Sequence, residues 1–227
     1  MITIVGLGPS GYENMTVGAY KAIQSAPTVF VRTEQHPAVR DLAAAGVHFE
    51  ALDDIYESSD TFAEVYARIA RRILEEAEKS DVVYAVPGHP LVGESAVQIL
   101  LQEAGSAGQE IVMIGCESFI EASLEALSLS MDEGLKIIDA LSMDRVAPAI
   151  DVGNLIYQVY DRAIASEVKL KLMEYYPDEY EISVIFGGAP AGERVKTMPL
   201  HRLDRAPVDH LTTVYVPAAD SHDRKLP

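Results

Sequence analysis

The sequence predicts an α/β fold of two α/β domains, the first on a mainly parallel sheet and the second on a mixed sheet. Three observations predict it. Over residues 1–114, short β-branched and aromatic runs alternate with amphipathic helical runs, as parallel strands joined by crossover helices do. Two of those strands lead straight into glycine-rich loops, Gly6-Leu7-Gly8-Pro9-Ser10-Gly11 and Pro87-Gly88-His89-Pro90-Leu91-Val92-Gly93, where open α/β sheets place their ligands. Over residues 115–217 strands outnumber helices at hairpin-like spacing, which points to a mixed sheet. Residues 218–227 are polar, charged and unpatterned and read as a linker or tail.

Ile2, Ile4 and Val5 make a first strand, and Thr16 is the expected N-cap of a helix carrying Val17, Tyr20 and Ile23. Thr28 to Arg32 reads as the second strand. Pro37 opens a short alanine-rich helix that Gly46 ends, and Val47 to Phe49 reads as a short third strand. Asp53 to Asp60 is acidic and reads as a loop. From Thr61, Phe62, Val65, Ile69, Ile73 and Ala77 fall at helical spacing, with Asp60 or Ser59 as the expected cap. Asp81 to Val86 is the strand that delivers the second glycine loop. Ser95 to Ala104 is helical, Gly105 to Gly108 a turn, and Glu110 to Ile114 a strand closing the first domain. In the second domain, Ser118 is the expected cap of a helix through Leu127. Strands are expected at 135–139, 154–158, 182–186, 194–198 and 212–216, with one clear helix from Ala163 to Tyr175. Gly187 to Gly192 reads as a tight turn between two strands.

Composition excludes several classes. The formal net charge of -17 argues against a nucleic-acid binder, which needs a basic face to offset phosphate repulsion. No apolar run reaches the roughly 20 residues that span a bilayer, and the N-terminus lacks the basic start of a signal peptide. One cysteine allows no internal disulfide and no cysteine-built metal site. The six histidines show no metal-ligand spacing, so no metal is expected. These features fit the cytoplasm.

Read literally, Gly6 to Gly11 fits the G-x-G-x-x-G dinucleotide fingerprint. Its context does not. The helix is delayed to Thr16, Pro9 stiffens the loop, and the acidic residue expected about 20 positions on has no good counterpart, Glu34 lying further along beside His36-Pro37. A purely structural glycine turn is the other alternative.

Three ordered motifs, G-L-G-P-S-G from Gly6, P-G-H-P-L from Pro87 and I-G-C-E-S from Ile114, together resemble the tetrapyrrole methylase family, the class III S-adenosylmethionine-dependent methyltransferases. Its members typically show a G-x-G-P-G loop, a G-D-P loop and a P-G-x-S turn. The segments Pro87 to Val92, Gln158 to Arg162, Val168 to Lys171 and Val208 to Leu211 most resemble the methylase-like domain fused to MazG-type nucleotide pyrophosphohydrolases. The resemblance covers essentially the whole chain. It implies S-adenosylmethionine in a cleft between two domains, touching Gly8, Pro9, Pro87, Gly88, His89, Pro90, Ser118 and Phe119, with Gly188 near the adenine. It implies a small-molecule acceptor, a homodimer and a pyrophosphohydrolase domain beyond these residues. The alternative function is a non-catalytic ligand-sensing or docking domain for that hydrolase.

His89 stands where the family often has an acidic residue, and reads as a cofactor or substrate contact or as a loop histidine bonded to backbone. Tyr160, Asp161 and Arg162 read as substrate contacts. Against that, Asp161 suits a helix cap, and Arg162 and Lys169 suit surface pairing. Arg32, Arg162, Lys169 and Lys171 are the cations available to an anionic substrate. His210 is a weak base candidate. Cys116 reads as a small buried residue. No residue is identified as catalytic.

Overall fold

The computed structural model describes residues 1–190 and 192–219. The chain divides into two compact units, the first Met1–Phe119 and the second starting at Ile120. The sequence places the change at residue 114.

In the first unit the elements run β1 Ile2–Gly6, α1 Val17–Ser25, β2 Thr28–Val31, α2 Pro37–Ala44, β3 Glu50–Ala51, α3 Asp53–Glu57, α4 Phe62–Ala77, β4 Val82–Val86, α5 Ser95–Ala107 and β5 Ile111–Ile114. The sheet order is β3-β2-β4-β1-β5, and every pairing is parallel. Side chains alternate across a strand, so each face acquires its own helices. Ile4, Phe30, Val82, Tyr84 and Val86 pack with Val65, Ile69 and Ile73 of α4 and Leu100 of α5. Val5, Val29, Val31, Val83 and Ala85 pack on the other face with Ile23 of α1 and Leu42 of α2. Burying one such side chain contributes about 1.5–3 kcal/mol.

Thr16 caps α1 as expected, its hydroxyl accepting from the Ala19 N–H at 3.2 Å. A 3-10 turn at Tyr12–Asn14 fills the delay before that helix. Other details differ. The cap of α4 is Thr61, which accepts from the Glu64 N–H at 3.2 Å. The Glu64 carboxylate in turn accepts from the N–H of Asp60, the residue before the cap, at 3.3 Å. The expected loop at 53–60 contains α3, whose first turn carries Asp53 and Asp54, charges that favour a helix N-terminus. The third strand sits at Glu50–Ala51, after the expected 47–49. Helix α5 runs through Gly105 and stops at Gly108, whose φ of 68° makes the left-handed cap.

In the second unit, α6 Phe119–Leu127, which begins at the boundary, precedes β6 Leu135–Asp139, β7 Gly153–Tyr157, α7 Arg162–Leu172, β8 Glu181–Phe186, β9 Val195–Pro199 and β10 Thr212–Val216. The order is β6-β7-β10-β8-β9. β6 pairs with β7 in parallel, and the other pairs are antiparallel, so this sheet is mixed. Ile138, Ile156, Val184, Val214 and Val216 pack with Ile164, Val168 and Leu172 of α7 and with Leu200 and Leu203. Asn154 is fully buried, and its amide bonds both backbone groups of Ala149 at 2.8 and 2.7 Å and the Tyr176 hydroxyl at 3.1 Å. The expected turn at 187–192 joins the antiparallel pair β8 and β9, with Ala191 outside the described residues. Of the expected tail, Ala219 is buried and its N–H donates to the Ile150 carbonyl at 2.9 Å. Residues 220–227 lie outside the described residues.

Candidate functional site

β4, β1 and β5 are neighbours and parallel, so the loops that follow them emerge at one edge of the sheet. From β1 the chain crosses to β2 through α1, which lies on one face. From β4 it crosses to β5 through α5, which lies on the other. Crossovers leaving adjacent strands in opposite directions open a crevice between the strand ends, the place where open α/β sheets bind ligands. Gly8 and Gly88 stand at that crevice.

The loops are knitted together at their glycines. The Gly88 N–H donates to the Gly8 carbonyl at 2.9 Å, one residue beyond the bond from the Leu7 N–H to the Val86 carbonyl at 2.9 Å. The third loop joins through Cys116. Its Sγ accepts from the Gly8 N–H at 3.1 Å and donates to the Gly88 carbonyl at 2.9 Å. The His36 Nε2 also bonds the Gly8 carbonyl, at 3.1 Å. The peptide groups of Gly8 and Gly88 are thus used in holding the loops to one another. Steric room differs between the two glycines. Gly8 has φ 80°, and a Cβ there would lie 2.8 Å from Asn14. Gly88 has φ 59°, and a Cβ there would meet nothing within 4 Å. The chain passes closely beneath Gly8 and leaves open space beside Gly88.

On the same loops, Pro9, Pro87 and His89 are half-buried, and Pro90 is buried. The His89 Nδ1 accepts from the Leu91 N–H at 3.1 Å, which leaves the ring proton on Nε2. His89 Nε2 lies against Gly115, where any side chain would collide with it. Ser118 is buried and Phe119 half-buried at the start of α6. Seven of the residues that the motifs single out in this unit lie on the loops after β1, β4 and β5, and the eighth, Phe119, opens α6.

A charge pair between half-buried Arg32 and buried Glu94 ties the second loop to its neighbour strand. The Arg32 guanidinium, just past β2, bonds the Glu94 carboxylate, and its Nε donates to the Tyr56 hydroxyl at 3.0 Å. Burial disfavours the Arg32 charge, but Glu94 and Tyr56 beside it reverse the balance and hold its pKa above the usual value. Burial also pushes the Glu94 carboxyl up, against the pull of Arg32. Arg32 is therefore not a free cation for a substrate. Nor are Lys169, paired with Asp204 at 2.8 Å, and Lys171, paired with Glu174 at 3.1 Å.

The remaining candidates lie in the second unit. β7 and β8 run parallel to one another, each antiparallel to β10 between them. The stretch Tyr160 to Arg162 after β7 and Gly188 after β8 therefore fall at the same end of that sheet. The Asp161 carboxylate accepts from the Ile164 N–H at 2.8 Å and caps α7. Tyr160 packs partly against the core, and Arg162 is exposed. Gln158 has φ 64°, a left-handed conformation uncommon outside glycine and often found at functional sites. His210 is exposed.

The roles of Cys116 and His36 and the Arg32–Glu94 pair are absent from the sequence reading. Only the position of Cys116 inside the third motif was a signal. His36 is separated from Gly8 by 28 positions, and no local pattern links them. Among the described residues no group of three or more His, Cys, Asp or Glu is placed to hold a metal, and no helix is long and apolar enough to cross a membrane.

Comparison with known proteins is consistent across sequence and fold. The family model for tetrapyrrole (corrin/porphyrin) methylases matches residues 1–204. A Bacillus subtilis (strain 168) protein described as uncharacterized protein YabN is 39% identical over 217 residues, covering 95% of this chain and 44% of that protein. The chain thus spans less than half the length of the curated relative it matches. Among solved structures, uroporphyrin-III C-methyltransferase from Thermus thermophilus superposes with a TM-score of 0.70 at 19% identity, over 96% of this chain and 91% of that one. A structure of that enzyme complexed with S-adenosylhomocysteine gives 0.67 at 18% identity, over 94% and 95%. Diphthine synthase gives 0.69 at 19% identity, over 96% and 89%. At these identities the structural likenesses show the fold.

Proposed function

We propose, because this chain belongs to the tetrapyrrole (corrin/porphyrin) methylase family, that it is an S-adenosylmethionine-dependent methyltransferase acting on a small molecule. The observation that carries the reading is the meeting of the three glycine loops at the crevice between β1 and β4, with open space beside Gly88. S-adenosylmethionine would supply a sulfonium-activated methyl group. The residues proposed to hold it are Gly8, Pro9, Pro87, Gly88, His89, Pro90, Ser118 and Phe119, with Gly188 toward the adenine. They fit a bulky ligand, because small residues and prolines give close backbone approach without side chains in the way. His89 carries its ring proton on Nε2, the atom that lies against Gly115. Its ring is held by the Leu91 N–H.

Methyl transfer asks the protein chiefly for alignment of nucleophile and methyl carbon, and positioning of this kind can remove roughly 7–11 kcal/mol from a barrier. The bonds among Gly8, Gly88, Cys116 and His36 supply the rigidity that alignment needs, and Glu94 with Arg32 anchors the far end of the second loop. Tyr160, Asp161 and Arg162 are the proposed acceptor contacts. Asp161 would act through its position at the start of α7, since its carboxylate is used as the cap. The pairing of Arg32, Lys169 and Lys171 with carboxylates leaves Arg162 as the proposed cation for an anionic acceptor.

The test is mass spectrometry of the purified protein for retained S-adenosylmethionine or S-adenosylhomocysteine, followed by transfer of a labelled methyl group into a metabolite extract. Retained cofactor and a labelled product support the proposal. Absence of both, with saturating S-adenosylmethionine supplied, overturns it. The family resemblance also supports a homodimer as a further proposal, which sedimentation of this chain tests directly. A pyrophosphohydrolase segment beyond these residues is proposed with it, in keeping with a relative of which this chain spans 44%.

A further inference from the structure

The chain carries 35 acidic residues against 18 lysines and arginines, so most of its cations should find a carboxylate. A groove of about 260 Å³ in the first unit has carboxylates among its cations. Its Arg68, Arg71 and Arg72 are interleaved with Glu50, Asp54 and Glu75, and Arg72 bonds Glu50 at 3.0 Å. A groove of about 340 Å³ in the second unit does not. It is lined by Lys196, Thr197, Met198, Pro199, Arg202 and Arg205, three cations with no carboxylate among them. None of the three has an ion-pair partner among the described residues.

The fold aims these cations at one place. Leu200–Arg205 forms a 3-10 turn, in which side chains three apart eclipse one another. Leu200 and Leu203 accordingly both enter the core, and Arg202 and Arg205 share another side, exposed. Lys196 lies two residues before Met198 on β9 and so projects from the same sheet face, the face whose core Met198, Leu200 and Leu203 share. Of the nearby acids, Glu181 stands opposite Pro199 on β8 and projects from the sheet face away from Lys196 and Met198. Asp204 pairs with Lys169 at 2.8 Å, and Glu179 meets His201 at 3.3 Å. A lysine on an edge strand also deters unwanted strand pairing, and β9 is such a strand. That role explains Lys196 alone and leaves the two eclipsed arginines unaccounted for.

We propose that this groove is a binding site for a small oligoanion, a molecule bearing two or more adjacent phosphate or carboxylate groups. Two guanidinium forks match such oxygens in bidentate fashion, and the lysine adds a point charge. The volume lies at the low end of small-molecule sites. The proposal does not depend on the methyltransferase reading, since it uses none of the glycine-loop residues.

The experiment is calorimetric titration of the 227-residue chain at low salt with inorganic tripolyphosphate in one arm and citrate in the other. The variants are Arg202→Gln, Arg205→Gln, their double and Arg71→Gln. The parent should bind at least one probe, and the tighter arm assigns phosphate or carboxylate as the natural group. Each of Arg202→Gln and Arg205→Gln should weaken binding about tenfold, equivalent to about 1.4 kcal/mol, and the double further still. Arg71→Gln, in the charge-compensated groove, should bind like the parent. Because Arg202 and Arg205 are exposed, the variants should keep the parent's circular dichroism. Failure of both probes to bind at millimolar concentration overturns the proposal, as does an equal loss in Arg71→Gln.

Discussion

Gly8→Ala and Gly88→Ala each add one methyl group to a pair of hydrogen-bonded loops, yet their costs should differ by roughly twofold. Both glycines have positive φ, 80° and 59°, and an L-residue in that region costs roughly 1–2 kcal/mol. At Gly88 the new Cβ meets nothing within 4 Å, so the backbone cost stands alone. At Gly8 it would lie 2.8 Å from the Asn14 Cβ and 2.8 Å from the Asn14 carbonyl oxygen. Backbone cannot swing aside as a flexible side chain can. Relief requires moving the 3-10 turn Tyr12–Asn14, and overpacking of this kind adds about 1–3 kcal/mol. Gly8→Ala should therefore lose roughly 2–5 kcal/mol and Gly88→Ala roughly 1–2 kcal/mol. Urea unfolding at fixed pH reads both, with unchanged slopes showing that stability alone has moved. At about 2–4 °C per kcal/mol for a chain of this size, melting temperatures should separate the two variants as well. A Gly8→Ala loss no larger than that of Gly88→Ala would refute the argument that Gly8 is crowded and Gly88 open.

Two further outcomes follow from the buried polar groups. Glu94→Gln removes the countercharge from Arg32 and should destabilise by about 3 kcal/mol, while replacing both partners by apolar residues should cost less; a double-mutant cycle in urea checks this. Burial lowers the His36 pKa below its ordinary value of 6.5, and Arg32 lowers it further against the opposing bond to Gly8. The unfolded chain then binds more protons, so stability is fully present above about pH 6.5 and falls as pH drops through the folded-state pKa. His36→Gln should flatten urea midpoints measured from pH 7.5 to 5, and an unchanged slope would assign the effect elsewhere.

Local rules made the strands and most helices legible. Thr16 and Asp161 cap their helices because a short acceptor before an apolar run reaches the third N–H. Pro37 and Gly46 bracket α2 for reasons equally local. Misses occurred where competing local signals were close. Thr61 outcompeted Asp60 as its hydroxyl accepts from the Glu64 N–H while the Glu64 carboxylate holds the Asp60 N–H. Gly105 reads as a breaker, yet Gly108, with φ 68°, ends the helix. At the site, the glycine loops were visible as motifs because their spacing lies within single loops. The contacts that hold them were not. Cys116 reaches Gly8 across 108 positions and Arg32 reaches Glu94 across 62, and only the strand order brings such residues together. Arg32, read as a free cation, proves to be a structural one for the same reason.

The central claim, that the glycine loops hold S-adenosylmethionine, is tested most directly by titrating S-adenosylhomocysteine into the ¹⁵N-labelled chain and following its amide resonances. The account predicts saturable shifts at Gly6, Gly8, Gly11, Gly88 and Gly93, and at Gly115 and Ser118. Gly46, Gly105 and Gly108, on the same unit but outside the loops, should stay in place. Saturable shifts centred on those three glycines, or no shift at any ligand concentration, would contradict it.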